Sequence, residues 1–157
     1  AAGADVDSVT LIRPAHTATP RPPHLRWNVT VAGALDEDPA AAQDRLRSDP
    51  EFAHLAAGSP TAAANLLKKT RAADPESAAR RARLLRSGSA WSASGRFTVP
   101  ALIVAAAEDA LHPIAVAEQW AADLPHARLA HVCAPSETGH DQQVRALVRR
   151  HLAVAHG

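Results

Sequence analysis

The sequence predicts an α/β fold: three parallel strands with flanking helices, interrupted by a helical insertion. Three observations predict it. Residues 101–107, Ala-Leu-Ile-Val-Ala-Ala-Ala, form an unbroken apolar run behind Pro100. A run without polar alternation suits a strand buried on both faces, as in a parallel sheet. Residues 101–154 then alternate strand, helix, strand, helix, an order that calls for crossovers between parallel neighbours. Between these and an early strand, a capping residue followed by proline recurs at Asp38-Pro39, Asp49-Pro50, Ser59-Pro60 and Asp74-Pro75, each a helix start.

Taken in order, residues 8–12 (Ser-Val-Thr-Leu-Ile) are β-branched, are closed by Pro14 and read as the first strand. Pro14, Pro20, Pro22 and Pro23 mark an extended, irregular passage. The four Pro-led starts predict short helices over residues 39–48, 50–57, 60–70 and 75–87. Residues 87–95, rich in Ser and Gly, read as a flexible link. After the strand at 101–107, Pro113 opens a helix to residue 124 with Ile114, Ala117, Ala121 and Leu124 on one face. Residues 128–133 are the third strand, weakened by Arg128 and His131. The last helix, residues 141–154, is the clearest. Asp141 is placed to cap it, and Val144, Leu147, Val148, His151 and Leu152 form its apolar face. Residues 1–15 and 96–157 therefore make up the sheet portion, and residues 16–95 the insertion.

Composition narrows the function classes. Seventeen Lys+Arg against sixteen Asp+Glu leave no global charge to recruit nucleic acid or an anionic membrane. The four arginines Arg80, Arg81, Arg83 and Arg86 form a basic helix face, read as solvated, with Asp74 and Glu76 ahead of them. One cysteine, Cys133, permits no internal disulfide and no cysteine metal cluster; it reads as a small core residue at a strand end. Nine histidines are scattered without an H-E-x-x-H pair, so no metal is expected. No apolar run approaches the ~20 residues of a membrane span, and the N-terminus lacks the pattern of a secretory signal. A cytoplasmic location is the expectation. Methionine is absent, so Ala1 is not an initiator, and the chain is expected to be a processed product, a fragment or one chain of a cleaved protein. Trp27 and Trp91 lie in the insertion, as lid aromatics lining a pocket or as anchors holding the insertion to the sheet.

Two segments carry chemistry. Residues 99–113 run Val-Pro-Ala-Leu-Ile-Val-Ala-Ala-Ala-Glu-Asp-Ala-Leu-His-Pro, and residues 135–141 run Pro-Ser-Glu-Thr-Gly-His-Asp. The first resembles the α/β-hydrolase segment that bears the triad acid: a proline, a buried strand, a small residue, an acid in the turn, and proline at the next helix. The second resembles that family's histidine loop. Residues 6–15 are similar to the strand after the family's nucleophile helix, and residues 16–98 stand where its variable cap is inserted. The resemblance implies the C-terminal part of an α/β hydrolase, with Asp109 as acid and His140 as base. Glu108 competes for the acid role, but the register favours Asp109 and turns Glu108 away. Where the family often has glycine before the acid, this chain has Ala106 or Ala107, a mild departure if the turn does not need a positive φ.

Topology supports the pairing independently. Ligands of open parallel sheets bind beyond the carboxyl ends of the strands, and Asp109 and His140 each follow a strand by a few residues. A carboxylate that accepts from one imidazole nitrogen fixes the tautomer and stabilises the imidazolium. The alternative is a surface Glu-Asp pair and an ordinary loop histidine. The nucleophile is missing: no Gly-x-Ser-x-Gly occurs, Ser59 precedes Pro60, and Ser89, Ser92 and Ser94 sit in the link. The family places its elbow and oxyanion loop ahead of residues 8–12. The resemblance thus implies hydrolysis of a small ester, amide or related acyl substrate without a cofactor, the nucleophile coming from an N-terminal portion. The alternative is a non-catalytic fragment or subunit that needs a partner chain bearing the nucleophile. By itself this chain is expected to be inactive.

Overall fold

A computed structural model describes residues 6–16, 19, 22–36, 39–71, 74–87 and 98–155. Contacts group the chain into two units, Ala1–Ala18 with Trp91–Gly157, and Thr19–Ala90.

The first unit is built on a three-stranded parallel sheet of order β1-β2-β3, with β1 Val9–Ile12, β2 Ala101–Ala106 and β3 Ala127–Val132. Val9 is opposite Ala101, and Ala101 is opposite Ala127, so the strands start level. Every residue of β2 is buried. Its side chains alternate between two cores. Ala101, Ile103 and Ala105 pack with Ala117, Trp120 and Leu124 of a helix at Ile114–Asp123. Leu102, Val104 and Ala106 pack with Val132 and with Val144, Leu147 and Val148 of the last helix, His140–Ala155. The apolar run of β2 thus reflects one helix on each face of the sheet. The indole N–H of Trp120 donates to the carbonyl of His16 at 2.6 Å, which ties down the chain beyond β1.

The second unit is helical. Helix α1 is Trp27–Ala34, α2 Pro39–Arg47, α3 Pro50–Gly58, α4 Pro60–Lys69 and α5 Pro75–Arg86; the two helices of the sheet unit are then α6 and α7. The Pro-led starts fall where the sequence places them. Asp49 accepts from the backbone N–H of Glu51 and Phe52, and Asp74 from that of Ser77. Ser59 makes no such bond, so α4 starts on Pro60 alone, and Asp38 lies outside the described residues. Trp27 is 6% exposed and packs inside this unit, with Phe52 edge-on at 5.7 Å and the Arg26 guanidinium over its face. Trp91 lies outside the described residues.

Helix α1 was not expected in the proline-rich passage. Its sequence, Trp-Asn-Val-Thr-Val-Ala-Gly-Ala, is poor in helix formers. Burial of Trp27, Val31, Ala32 and Ala34 overrides that preference. The arginine face of α5 is solvated as expected, with Arg80, Arg83 and Arg86 exposed and Arg81 half-buried. Arg81 donates to the carbonyls of Lys69 and Arg71, and Arg86 donates to the carbonyl of Ala32 and pairs with Asp36. Two of the four arginines therefore satisfy carbonyls at the ends of α4 and α1.

The polar centre of this unit is Gln43, 6% exposed, beside the fully buried Thr70. The Gln43 amide donates to the Leu67 carbonyl and to Thr70 Oγ1, and its oxygen accepts from Arg47 and Arg71. Gln43→Ala strands these partners and is expected to lower unfolding free energy by about 1–3 kcal/mol, read from urea denaturation. An unchanged midpoint contradicts this role.

Candidate active site

The chemistry-bearing residues gather at the carboxyl ends of neighbouring strands. Beyond β2 the chain turns through Ala107 and Glu108 to Asp109. Ala106 and Ala107 need no positive φ, as the sequence reading has it; the left-handed residue of the turn is Glu108, with φ 50°. The left-handed conformation costs a non-glycine residue roughly 1–2 kcal/mol. Glu108 is exposed, as its register implies, while the Asp109 side chain is 3% exposed.

Asp109 is surrounded by donors. Arg13 Nε–H donates to its Oδ2 at 2.5 Å, and the Leu111 N–H donates to Oδ1 at 3.2 Å. His112 Nδ1 lies 3.0 Å from both oxygens. Burial pushes the Asp109 carboxyl up, but the hydrogen bonds and charges of His112 and Arg13 outweigh it and hold the carboxyl below its ordinary range. An ionised carboxylate only accepts, so His112 Nδ1 carries the proton shared between the two oxygens. The 3.2 Å approach of Arg13 Nη2 to that nitrogen is then a contact made through their common acceptor.

Arg13 reaches this position by a second strained residue. It follows β1 directly, has φ 51°, and its N–H donates to the Val104 carbonyl at 2.8 Å. Its partnership with Asp109 spans 96 positions of sequence. Neither Arg13 nor His112 was singled out from the sequence. His112 carried a readable signal, since a histidine three residues after an acid in a turn can fold back on it. Arg13 carried none.

His140 is 8% exposed and opens α7. Asp141 falls in the first turn of α7, so it is not the cap expected of it. The loop before His140 is knit by Glu137, whose side chain accepts from the Ala134 N–H and whose backbone carbonyl accepts from the His140 N–H. Gly139 has φ 97°, a backbone region that favours glycine, and a Cβ there would meet nothing within 4 Å. The need for glycine is thus conformational. Once in place, the first turn of α7 grips the peptide groups of Cys133: Gln143 Oε1 accepts from its N–H at 3.0 Å, and His140 Nδ1 lies 2.9 Å from its carbonyl oxygen. A carbonyl only accepts, so Nδ1 is the donor and the neutral ring leaves Nε2 as a bare lone pair. That nitrogen has no hydrogen-bond partner among the described residues.

Asp109 thus follows β2 and His140 opens α7 after the neighbouring β3, and each is joined to a different group. Among the described residues no hydrogen bond links the two. Cys133 is free and half-buried. Ser89, Ser92 and Ser94 lie outside the described residues. Among the described residues, no group of three or more His, Cys, Asp or Glu side chains could hold a metal ion, and no helix is long and apolar enough to cross a membrane.

Two predictions follow from this geometry. The carboxyl of Asp109 sits below its ordinary 3.8, so its contribution to stability is complete above that value and is lost as the pH falls toward the folded-state value. The stability gap between wild type and Asp109→Asn should be largest near neutrality and close in acid, measured by urea unfolding across pH; a constant gap contradicts the ion pairing. Gly139→Ala should cost about 1–2 kcal/mol through φ alone, and an unchanged Tm would refute that account.

No protein-family model and no curated protein matches the chain. Solved structures do. A hydrolase from Pseudomonas aeruginosa PA01 matches 91% of this chain with TM-score 0.57 and 19% identity, over 54% of its own length. An acetylester hydrolase from Corynebacterium glutamicum matches 90% with TM-score 0.59 and 17% identity, over 53% of its length. A thermophilic esterase from Thermogutta terrifontis matches 96% with TM-score 0.57 and 16% identity, over 57% of its length. The chain spans just over half the length of these structures, and at such identities the likeness is one of fold. Three parallel strands flanked by helices, arranged as in part of these hydrolases, give this chain a partial α/β-hydrolase fold.

Proposed function

We propose that this chain supplies the base, His140, and the acid, Asp109, of a nucleophile–histidine–acid triad in a hydrolase of small ester, amide or related acyl substrates. The observation that carries the proposal is the His140 ring: buried, tied through Nδ1–H to the Cys133 carbonyl, with no hydrogen-bond partner at Nε2 among the described residues. A general base needs a directed lone pair with no competing partner. Nε2 would take the proton of the attacking group and return it to the leaving group. Asp109, ionised at the end of the adjacent strand, serves as acid when the His140 Nδ1–H passes from the Cys133 carbonyl to the carboxylate. A charged acceptor stabilises the transient imidazolium more than a neutral carbonyl does. The nucleophile and the oxyanion donors belong, on this proposal, to a portion of the fold that these residues do not span. Residues 16–95, inserted between β1 and β2 in sequence, are proposed as the cap.

A second reading makes the chain non-catalytic by itself, a subunit completed by a partner chain with the nucleophile. The absence of Gly-x-Ser-x-Gly and the engagement of Asp109 by Arg13 and His112 favour it.

Hydrolysis of short-chain p-nitrophenyl esters tests both, assayed with the full-length protein, with these 157 residues alone and with any co-purifying chain. His140→Ala in the active form should lower kcat by on the order of 10⁴-fold. Full turnover in that variant would refute the triad assignment. Turnover by the 157 residues alone, abolished at one of their own serines, would refute the external nucleophile.

A further inference from the structure

We propose that Arg13 and His112 are positioning residues for the acid: together they aim the Asp109 carboxylate and leave it room for one further donor. The proposal rests on the reading of Asp109 as the triad acid, and it adds two residues that act through Asp109.

A carboxylate offers about four acceptor sites. Arg13 Nε–H takes one on Oδ2 and the Leu111 N–H one on Oδ1. The single proton on His112 Nδ1 is shared evenly, 3.0 Å from each oxygen, and so covers one site on both. If His112 settles on one oxygen, it keeps a full hydrogen bond and frees a site on the other. The incoming donor is the Nδ1–H of His140. Neither the Arg13 bond nor the backbone bond has to break.

The backbone points the same way. Arg13 and Glu108 are the two non-glycine residues with positive φ among the described residues. Each lies just past the end of one of two neighbouring parallel strands, β1 and β2, and the two bends turn Arg13 and Asp109 toward one another. Strain repeated on both sides of one ion pair marks a contact that the fold is built to make. A surface ion pair would not need it, and the Asp109 side chain is 3% exposed. Arg13 also fits the task chemically. Its planar guanidinium directs donors along fixed lines, whereas a lysine ammonium would supply charge without direction.

The experiment uses Arg13→Gln, Arg13→Lys, His112→Gln and, as reference, Asp109→Asn. Carbon-detected NMR follows the Asp109 carboxyl through pH in the 157-residue chain, and ester hydrolysis by the full-length protein gives kcat and KM separately. Arg13→Gln should move the Asp109 midpoint upward and lower kcat by roughly 10- to 100-fold, the rate equivalent of one charge-assisted hydrogen bond, with KM unchanged. Arg13→Lys should recover most of the midpoint and little of kcat, which separates aim from charge and from loss of folding. His112→Gln should lower kcat less. An Asp109 midpoint that stays in place in Arg13→Gln overturns the proposal, as does an unchanged kcat in a variant series where Asp109→Asn is inactive. That last pattern leaves the triad reading standing. Full activity of Asp109→Asn removes both.

Discussion

Strand β2 is the constraint on which the sheet unit depends. All six of its residues are buried, and its two faces feed two separate cores. Helices α6 and α7 close those faces, and β1 and β3 close its edges. The chain leaving β2 therefore has one way out, past the carboxyl end. There the backbone of Ala107 still bonds the Val132 carbonyl, and polar side chains meet beside a dry core. Hydrogen bonds there compete less with water, and a charged group must find partners or change protonation state.

Asp109 finds partners and His140 finds a carbonyl, and both outcomes are local solutions to burial. The carboxylate stays charged because two side chains and a backbone amide solvate it. The imidazole stays oriented because it and Gln143 satisfy the peptide groups of Cys133, which the end of β3 would otherwise leave open. Each group is thus engaged by its own partners, and among the described residues no hydrogen bond joins the two. Three positive φ angles, at Arg13, Glu108 and Gly139, lie in the turns that carry these groups. Two of them fall on residues with side chains, where the conformation is costly.

The sheet and most helices were legible because their signals are local. An unbroken apolar run defines β2, a 3.6-residue period defines α7, and an acid before proline marks α3 and α5. That Asp109 follows β2 and that His140 stands where the last helix begins was legible, because both follow from strand ends and helix starts. Helix α1 was not, since tertiary burial of Trp27 and Val31 overrides an unfavourable composition. The partner of Asp109 was not, because Arg13 lies 96 positions away and enters through a backbone conformation that no residue type there advertises. The solvated arginine face of α5 was legible, but the carbonyls that Arg81 and Arg86 meet were not, because those partners lie elsewhere in the sequence.

On the proposed function, His140 is a buried base with its proton on Nδ1 and its lone pair on Nε2. Nitrogen-15 NMR of the histidine ring, recorded on the neutral form, measures this directly. The account predicts a protonated Nδ1 coupled to a slowly exchanging proton, and a bare Nε2. A ring protonated on Nε2, with Nδ1 as the free nitrogen, would contradict it.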